Sequence, residues 1–354
     1  MKITFCLPQP GNNPIGGYKV VYEYANRLEK LGNKVTIVYD CNRLFYRNNI
    51  DFIRLLKIFI KYNRNKSWFK LNRKIKLKYA LHGIENRYFP NADYVVATAV
   101  ETVEPILSLN KLKGEKIYFI QDIENWRLGD DYVNSTYSMP FAKMIVISNW
   151  IKKRVDKYAS TPSIVINNGL DFDKLGIIND IEDRNPYTVS MLYHALAHKG
   201  SKYGLQALYK LKKEIPELTV EMFGAPEKPK NLPEWIHYTR RANAEEVKNI
   251  YNSTAIFLSS TINEGFGLTG AESMACGCAL VSTNYEGVKE YAENGENSVL
   301  CPVKDSDSLC FAMKELMYND KKRISIAKRG YQDIQKLNWD KSVRKFMNVL
   351  KDKG

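Results

Sequence analysis

Short apolar runs and stretches of helical periodicity take turns along this chain, and that alternation leaves few folds open. Ile3–Leu7 is an apolar run, followed by a loop from Pro8 to Gly17. Val20, Val21, Tyr24, Leu28 and Leu31 then recur at helical spacing until Gly32, and Lys34–Tyr39 is apolar again. Such a β-α-β unit is the building block of a parallel sheet. Strand-like runs continue at 94–98, 116–121, 144–148 and 163–166. The second half repeats the theme at 188–193, 218–224, 236–239, 255–259, 278–282 and 298–301. Helical stretches at 203–213 and 244–251 lie between them, the second opened by Asn243 with Glu246 three residues on, a capping-box signature.

At 354 residues the chain is too long for one core and suits two domains. The polar, aperiodic stretch 171–186 reads as the linker between an N-terminal Rossmann-like domain, 1–170, and a C-terminal one beginning at 187. The expected class is α/β, with two doubly wound domains in tandem. Open parallel sheets bind ligands beyond the carboxyl ends of their strands, so two such domains facing each other would place a site in the cleft between them.

Composition narrows the partners. Apolar residues at 44% and charged residues at 26% suit a soluble globular protein, and no apolar run reaches the roughly 18 residues of a spanning helix. The N-terminus turns polar at Gln9 without a cleavage site, so it reads as a first strand rather than a signal peptide. Six cysteines without paired spacing and four dispersed histidines argue against a disulfide framework or a metal site and suit a reducing cytoplasm. The net charge of +14 is uneven. Residues 1–170 hold 27 Lys and Arg against 14 Asp and Glu, whereas 171–354 hold 26 against 25. Residues 43–87 alone carry 13 basic and 2 acidic side chains, a local field that implies an anionic partner. Within it Phe52, Leu55, Leu56 and Phe59 fall at helical spacing with Arg54, Lys57 and Lys61 on other faces. That pattern suits a helix lying on an anionic membrane, and equally an ordinary helix packed on the sheet.

The sharpest segment runs from Asn263 to Gly277, after the apolar run 255–259. Gly265 and Gly267 let the backbone approach a ligand closely, and a helix opening near Leu268 offers unpaired N–H groups to a diphosphate. Glu264 precedes that helix and Glu272 lies about one turn inside it, where a carboxylate suits sugar hydroxyls rather than phosphate. Taken alone, a glycine-rich strand-to-helix turn is more often structural than functional.

Glu264 and Glu272, separated by seven residues in a Glu-Gly-Phe-Gly-Leu frame, resemble the paired-glutamate motif of the family-4 retaining glycosyltransferases, which have the GT-B fold. Gly16-Gly17 is similar to the family's N-terminal donor loop. The segments 146–150 and 165–171 resemble the start of its last N-domain helix and its entry to the linker. Lys199-Gly200 resembles its diphosphate-binding lysine, and 276–282 followed by Glu286-Gly287 its strand and loop beyond the glutamates. Asn338-Trp339-Asp340 matches the start of a C-terminal helix, 338–354, that crosses back to the first domain, which leaves 187–337 as the nucleotide-sugar domain.

The resemblance implies that Glu272 holds the ribose and Glu264 the hydroxyls of the transferred sugar. Gly265, Phe266 and Gly267 would supply amides around that sugar. Lys199 with the Leu268 and Thr269 amides would hold the diphosphate. It implies transfer with retention from a nucleotide sugar to a glycan or lipid-linked acceptor, in cell-surface polysaccharide synthesis. No metal and no cofactor are implied, because the nucleotide sugar is a substrate. The place implied is the cytoplasm, peripheral at the inner face of the membrane through residues 43–87.

Two positions depart from the family's pattern. His194 stands where an arginine before the lysine is usual, and a histidine is a weaker, pH-dependent cation. Gln121-Asp122 stand where many members carry a histidine beside the donor sugar, which makes Asp122 a further catalytic candidate, although a buried polar pair reads as well. A nicotinamide-dependent oxidoreductase would want Gly-x-Gly-x-x-Gly after the first strand, and that spacing is missing. A basic nucleic-acid-binding α/β protein is the alternative, because aromatics interleave with basic residues in 43–87, but no nucleic acid is expected as partner.

Overall fold

The computed structural model describes residues 1–10, 14–41 and 68–352. The chain divides into two compact units, one of Met1–Asn167 with Ser342–Gly354, the other of Asn168–Lys341. Among the described residues the first unit holds strands β1 (Lys2–Leu7), β2 (Lys34–Asp40), β3 (Lys76–Ala80), β4 (Tyr94–Ala97), β5 (Glu115–Ile120), β6 (Lys143–Val146) and β7 (Ile164–Val165). They form one sheet in the order β3-β2-β1-β4-β5-β6-β7, parallel throughout. Its helices are α1 (Gly16–Lys30), α2 (Val103–Leu107), α3 (Asn125–Thr136) and α4 (Asn149–Val155).

The second unit holds β8 (Thr188–Leu192), β9 (Thr219–Gly224), β10 (Ile236–Arg240), β11 (Ile256–Ser259), β12 (Ala279–Thr283) and β13 (Ser298–Cys301), parallel in the order β10-β9-β8-β11-β12-β13. Helices α5 (Ser201–Glu214), α6 (Ala244–Ser253), α7 (Leu268–Ala275), α8 (Ser306–Tyr318) and α9 (Asp320–Ile334) belong to it, and α10 (Trp339–Lys351) follows. In each sheet the strand order reverses direction once, between β1 and β4 and between β8 and β11. Crevices at such reversals are where open sheets take ligands.

Strands buried on both faces lose the alternation of a half-exposed strand, and β1, β11 and β12 are apolar almost without interruption for that reason. The capping box at Asn243 forms, its side chain accepting from the Glu245 and Glu246 N–H groups at 2.9 and 3.0 Å. Phe346 of α10 is buried against Phe5, Tyr24 and Phe119, with ring centroids 4.8 to 6.1 Å apart. Ser342 donates to the Asn167 carbonyl at 2.8 Å. Emptying the Phe346 position would cost about 3–5 kcal/mol. All six cysteines are buried as free thiols.

Three sequence readings meet differences. The stretch 171–186 lies within the second unit, where Arg184 is buried and donates to the Cys276 and Thr254 carbonyls at 2.6 and 3.1 Å. A guanidinium satisfied by carbonyls leaves no periodic apolar trace, which is why the stretch reads as polar linker. Gly16 and Gly17 form the first turn of α1 rather than a loop. Strand β3 was not foreseen, because Lys76 and Lys78 disguise an edge strand within a basic stretch. The apolar stripe Phe52, Leu55, Leu56 and Phe59 lies outside the described residues. Among the described residues, no helix is long and apolar enough to cross a membrane.

Candidate active site at the β8 and β11 strand ends

Two loops meet where the second sheet reverses. The loop after β8 runs from Tyr193 to Gly200, and the loop after β11 from Ser260 to Gly267. They are stitched together through the His198 carbonyl, which accepts from the Ile262 N–H at 2.8 Å. Gly200 closes the first loop with φ of 62°, and a Cβ there would stand 1.9 Å from the Ser260 carbonyl oxygen. Only glycine permits that approach. Ser201, at the start of α5, accepts from the His194 N–H at 2.9 Å and donates to its carbonyl at 3.0 Å, fixing the other end.

This framework brings Lys199 onto Glu264. The ammonium lies 2.7 Å from Glu264 Oε1, with side chains 23% and 13% exposed, so the pair is largely withdrawn from water. Thr261 donates to the same oxygen at 3.1 Å. His194, Lys199 and Thr269 line one depression with Ser259, Ser260 and Thr261. Helix α7 opens at its edge, with Gly267 in the left-handed region at φ 86°. Glu272 is buried in the second turn of that helix, at 7% exposure. Phe266 is buried too, which withdraws its side chain from any ligand.

His194 is not the cation that its place in the sequence suggests. Its Nδ1 accepts from the Leu196 N–H at 3.1 Å, which leaves Nε2 to carry the proton of the neutral ring. Burial first, and the Lys199 ammonium second, hold its pKa below the ordinary 6.5. His198 is lowered by the same two causes.

Gly17 and Asp122 belong to the first unit. A Cβ on Gly17 would lie 3.5 Å from the Gln121 amide, so the start of α1 and the residue after β5 touch. Gln121 Oε1 is buried without a hydrogen-bond partner among the described residues. Asp122 accepts from the Ile123 N–H at 2.8 Å. Nearby Glu124, which the sequence did not single out, accepts from the Val100 N–H at 2.6 Å, and burial pushes its carboxyl up to about 8. Asp122 and Glu101 add to that rise.

With that geometry in place, likeness to known proteins becomes informative. The family described as glycosyl transferases group 1 matches residues 178–333, which contain both loops and the Lys199–Glu264 pair. That match covers less than half of the chain, so it says what residues 178–333 are similar to. An uncharacterized glycosyltransferase of Methanocaldococcus jannaschii is 26% identical over 223 residues, 59% of this chain and 60% of that protein. The D-inositol 3-phosphate glycosyltransferase of Corynebacterium urealyticum is 24% identical over 169 residues, 43% of this chain and 40% of that protein. The chain thus spans less than two thirds of the length of these curated relatives.

Among solved structures, HepE of Anabaena in complex with UDP and glucose superposes with a TM-score of 0.75 at 14% identity, covering 99% of each chain. TarM of S. aureus in complex with UDP and alpha-GlcNAc-glycerol gives 0.77 at 10% identity, covering 99% of this chain and 100% of the other. The fold is GT-B. Within residues 178–333 the structure brings Lys199, His194, Glu264 and Thr269 together. Thr261, which holds Glu264, was missed because a lone threonine three residues before a glutamate carries no signal in one sequence.

Proposed function

We propose that the chain is a glycosyltransferase of the family-4 retaining type, moving a sugar from a nucleotide-sugar donor to a glycan or lipid-linked acceptor in cell-surface polysaccharide synthesis. The observation that carries this reading is the Lys199–Glu264 pair beside the start of α7, within the residues similar to group 1 glycosyl transferases. A cation and a helix start suit a diphosphate, and a carboxylate one side chain away suits sugar hydroxyls. The neighbours solved with UDP and with a glucosyl or GlcNAc compound support the substrate class.

In the reaction, the bond from the anomeric carbon to the diphosphate oxygen breaks and the leaving diphosphate takes the electron pair. Lys199, the Leu268 and Thr269 amides and the His194 Nε2–H stabilise that charge where it develops. The acceptor hydroxyl attacks from the same face and passes its proton to the leaving phosphate oxygen. Glu264 orients the sugar and Glu272 holds the ribose. The family resemblance adds Asp122, Gly16 and Gly17 to the donor-site candidates. No metal or cofactor takes part. The pairing of Lys199 with Glu264 means that the diphosphate must take the ammonium from the carboxylate, which then turns to the sugar.

The protein acts in the cytoplasm at the inner face of an anionic membrane, and residues 43–87 with their net +11 supply the attraction. Each basic side chain near an acidic leaflet contributes ~1 kcal/mol. Sedimentation with vesicles containing or lacking phosphatidylglycerol tests this, and equal pelleting with both removes the membrane from the proposal.

The activity is tested by a thermal-shift screen of nucleoside diphosphates and nucleotide sugars, followed by transfer from the donor found. A ligand at 100 times its Kd adds about 2.7 kcal/mol of stability. Product NMR is expected to show the donor's anomeric configuration, with turnover unchanged by EDTA. No shift with any diphosphate, or inversion, overturns the assignment.

A further inference from the structure

The turn that ends at Gly267 rests on two tyrosines that lie beyond the motif itself. Tyr285 and Tyr291 follow β12 and are 3% and 9% exposed. The Tyr291 hydroxyl donates to the Gly267 carbonyl at 2.7 Å. That carbonyl is the first helical acceptor of α7, yet the Ala271 N–H reaches it only at 3.5 Å, so the tyrosine is its main partner. The Tyr285 hydroxyl lies 3.4 Å from that of Tyr291, and a Cβ on Gly267 would stand 1.8 Å from it. The Phe266 and Tyr291 rings pack with centroids 5.4 Å apart.

A glycine in the left-handed region is free to rotate its peptide, so the loop does not set its own orientation. A planar trans peptide points its carbonyl and the next N–H in opposite directions. With the Gly267 carbonyl held against a buried hydroxyl, the Leu268 N–H is turned away from the tyrosines. We propose that Tyr291, supported by Tyr285, is a positioning residue for the donor's diphosphate: it locks the Gly267–Leu268 peptide so that the Leu268 N–H already faces the anion before ligand arrives. Burial raises the Tyr291 pKa, so the hydroxyl stays a donor throughout the working pH range. The inference rests on the donor-site reading above and adds to it residues outside the glycine-rich loop.

Isothermal titration with UDP, GDP and their nucleosides tests it on wild type, Tyr291→Phe and Tyr285→Phe. Tyr291→Phe removes one oxygen and keeps the ring packing. It is expected to weaken the diphosphate that wild type binds by about tenfold or more, while nucleoside affinity stays within about twofold, since only the phosphate partner is disturbed. Tyr285→Phe, one hydroxyl further away, should give a smaller loss with the same selectivity. Diphosphate affinity unchanged in Tyr291→Phe overturns the inference, and so does an equal loss for nucleoside and diphosphate, which would mark a packing role. Wild-type protein that binds neither diphosphate strikes instead at the donor-site reading on which the inference rests.

Discussion

The two sheets share a strand order and differ in what fills the point where it reverses. In the second unit, the loops after β8 and β11 leave a depression lined by His194, Lys199 and Thr269, with α7 opening onto it. In the first, two backbone groups near the ends of β1 and β4 are held by the protein's own side chains. Thr98 donates to the Cys6 carbonyl at 2.6 Å, and the Val100 N–H, at the start of the helical turn after β4, is held by the Glu124 carboxyl at 2.6 Å. At the first reversal an acid of the chain itself meets the N–H of the turn, whereas the second places Lys199 and the start of α7 beside the depression. The two reversal points thus differ in which side chain reaches the helical turn beyond the strand.

The strongest way to break this contrast is Glu272→Ala. Nucleotide-sugar binding should be abolished in calorimetry while circular dichroism stays unchanged. An affinity equal to wild type for every donor would move the site elsewhere. Lys199→Ala comes next, with a loss of about tenfold or more for nucleoside diphosphate and little for the nucleoside, because its part is charge. Since His194 is held below its ordinary pKa, diphosphate affinity in wild type should be flat between pH 7 and 8 and tighten only on the acid side of 6.5. A decline from pH 7 to 8 would show a charged His194.

Glu264→Gln sharpens the comparison by inverting the usual outcome. It frees Lys199 and removes a negative charge beside the phosphates, so nucleoside diphosphate should bind a few-fold tighter while sugar transfer collapses. Weaker diphosphate binding would mean that the carboxylate holds Lys199 in place rather than competing for it.

The smallest effect is expected at Glu124. Glu124 has its pKa raised to about 8 in the folded protein, above the ordinary 4.5, so the folded state keeps a proton that the unfolded chain releases. Stability from this group is full below pH 4.5 and is lost as pH rises through about 8. Glu124→Gln should therefore raise Tm by about 2–4 °C at pH 8.5 and do little at pH 5. A gain that is the same at both values would show that the carboxyl is ionised in the fold.

The strands and the glycine-rich turn after β11 were legible because both follow from local pattern. Buried parallel strands are continuous apolar runs, and the Glu264-to-Glu272 frame is contiguous. What escaped depends on contacts distant in sequence. Tyr291 reaches Gly267 from 24 residues away, and Glu124 reaches Val100 across two strands. Arg184 is buried by carbonyls of a segment about 70 to 90 residues later. His194 lines the depression, and its tautomer is set by the Leu196 N–H, a matter of loop shape rather than composition.

The burial of every cysteine gives the molecule a built-in reporter. Cys6 and Cys41 sit in one unit, and Cys276, Cys278, Cys301 and Cys310 in the other, all with thiols pushed above their ordinary pKa by burial. A thiol reagent added to native protein meets little thiolate, whereas local opening exposes it. Timed alkylation followed by peptide mass spectrometry would therefore record, cysteine by cysteine, which half opens first, and whether donor quiets only the half that binds it.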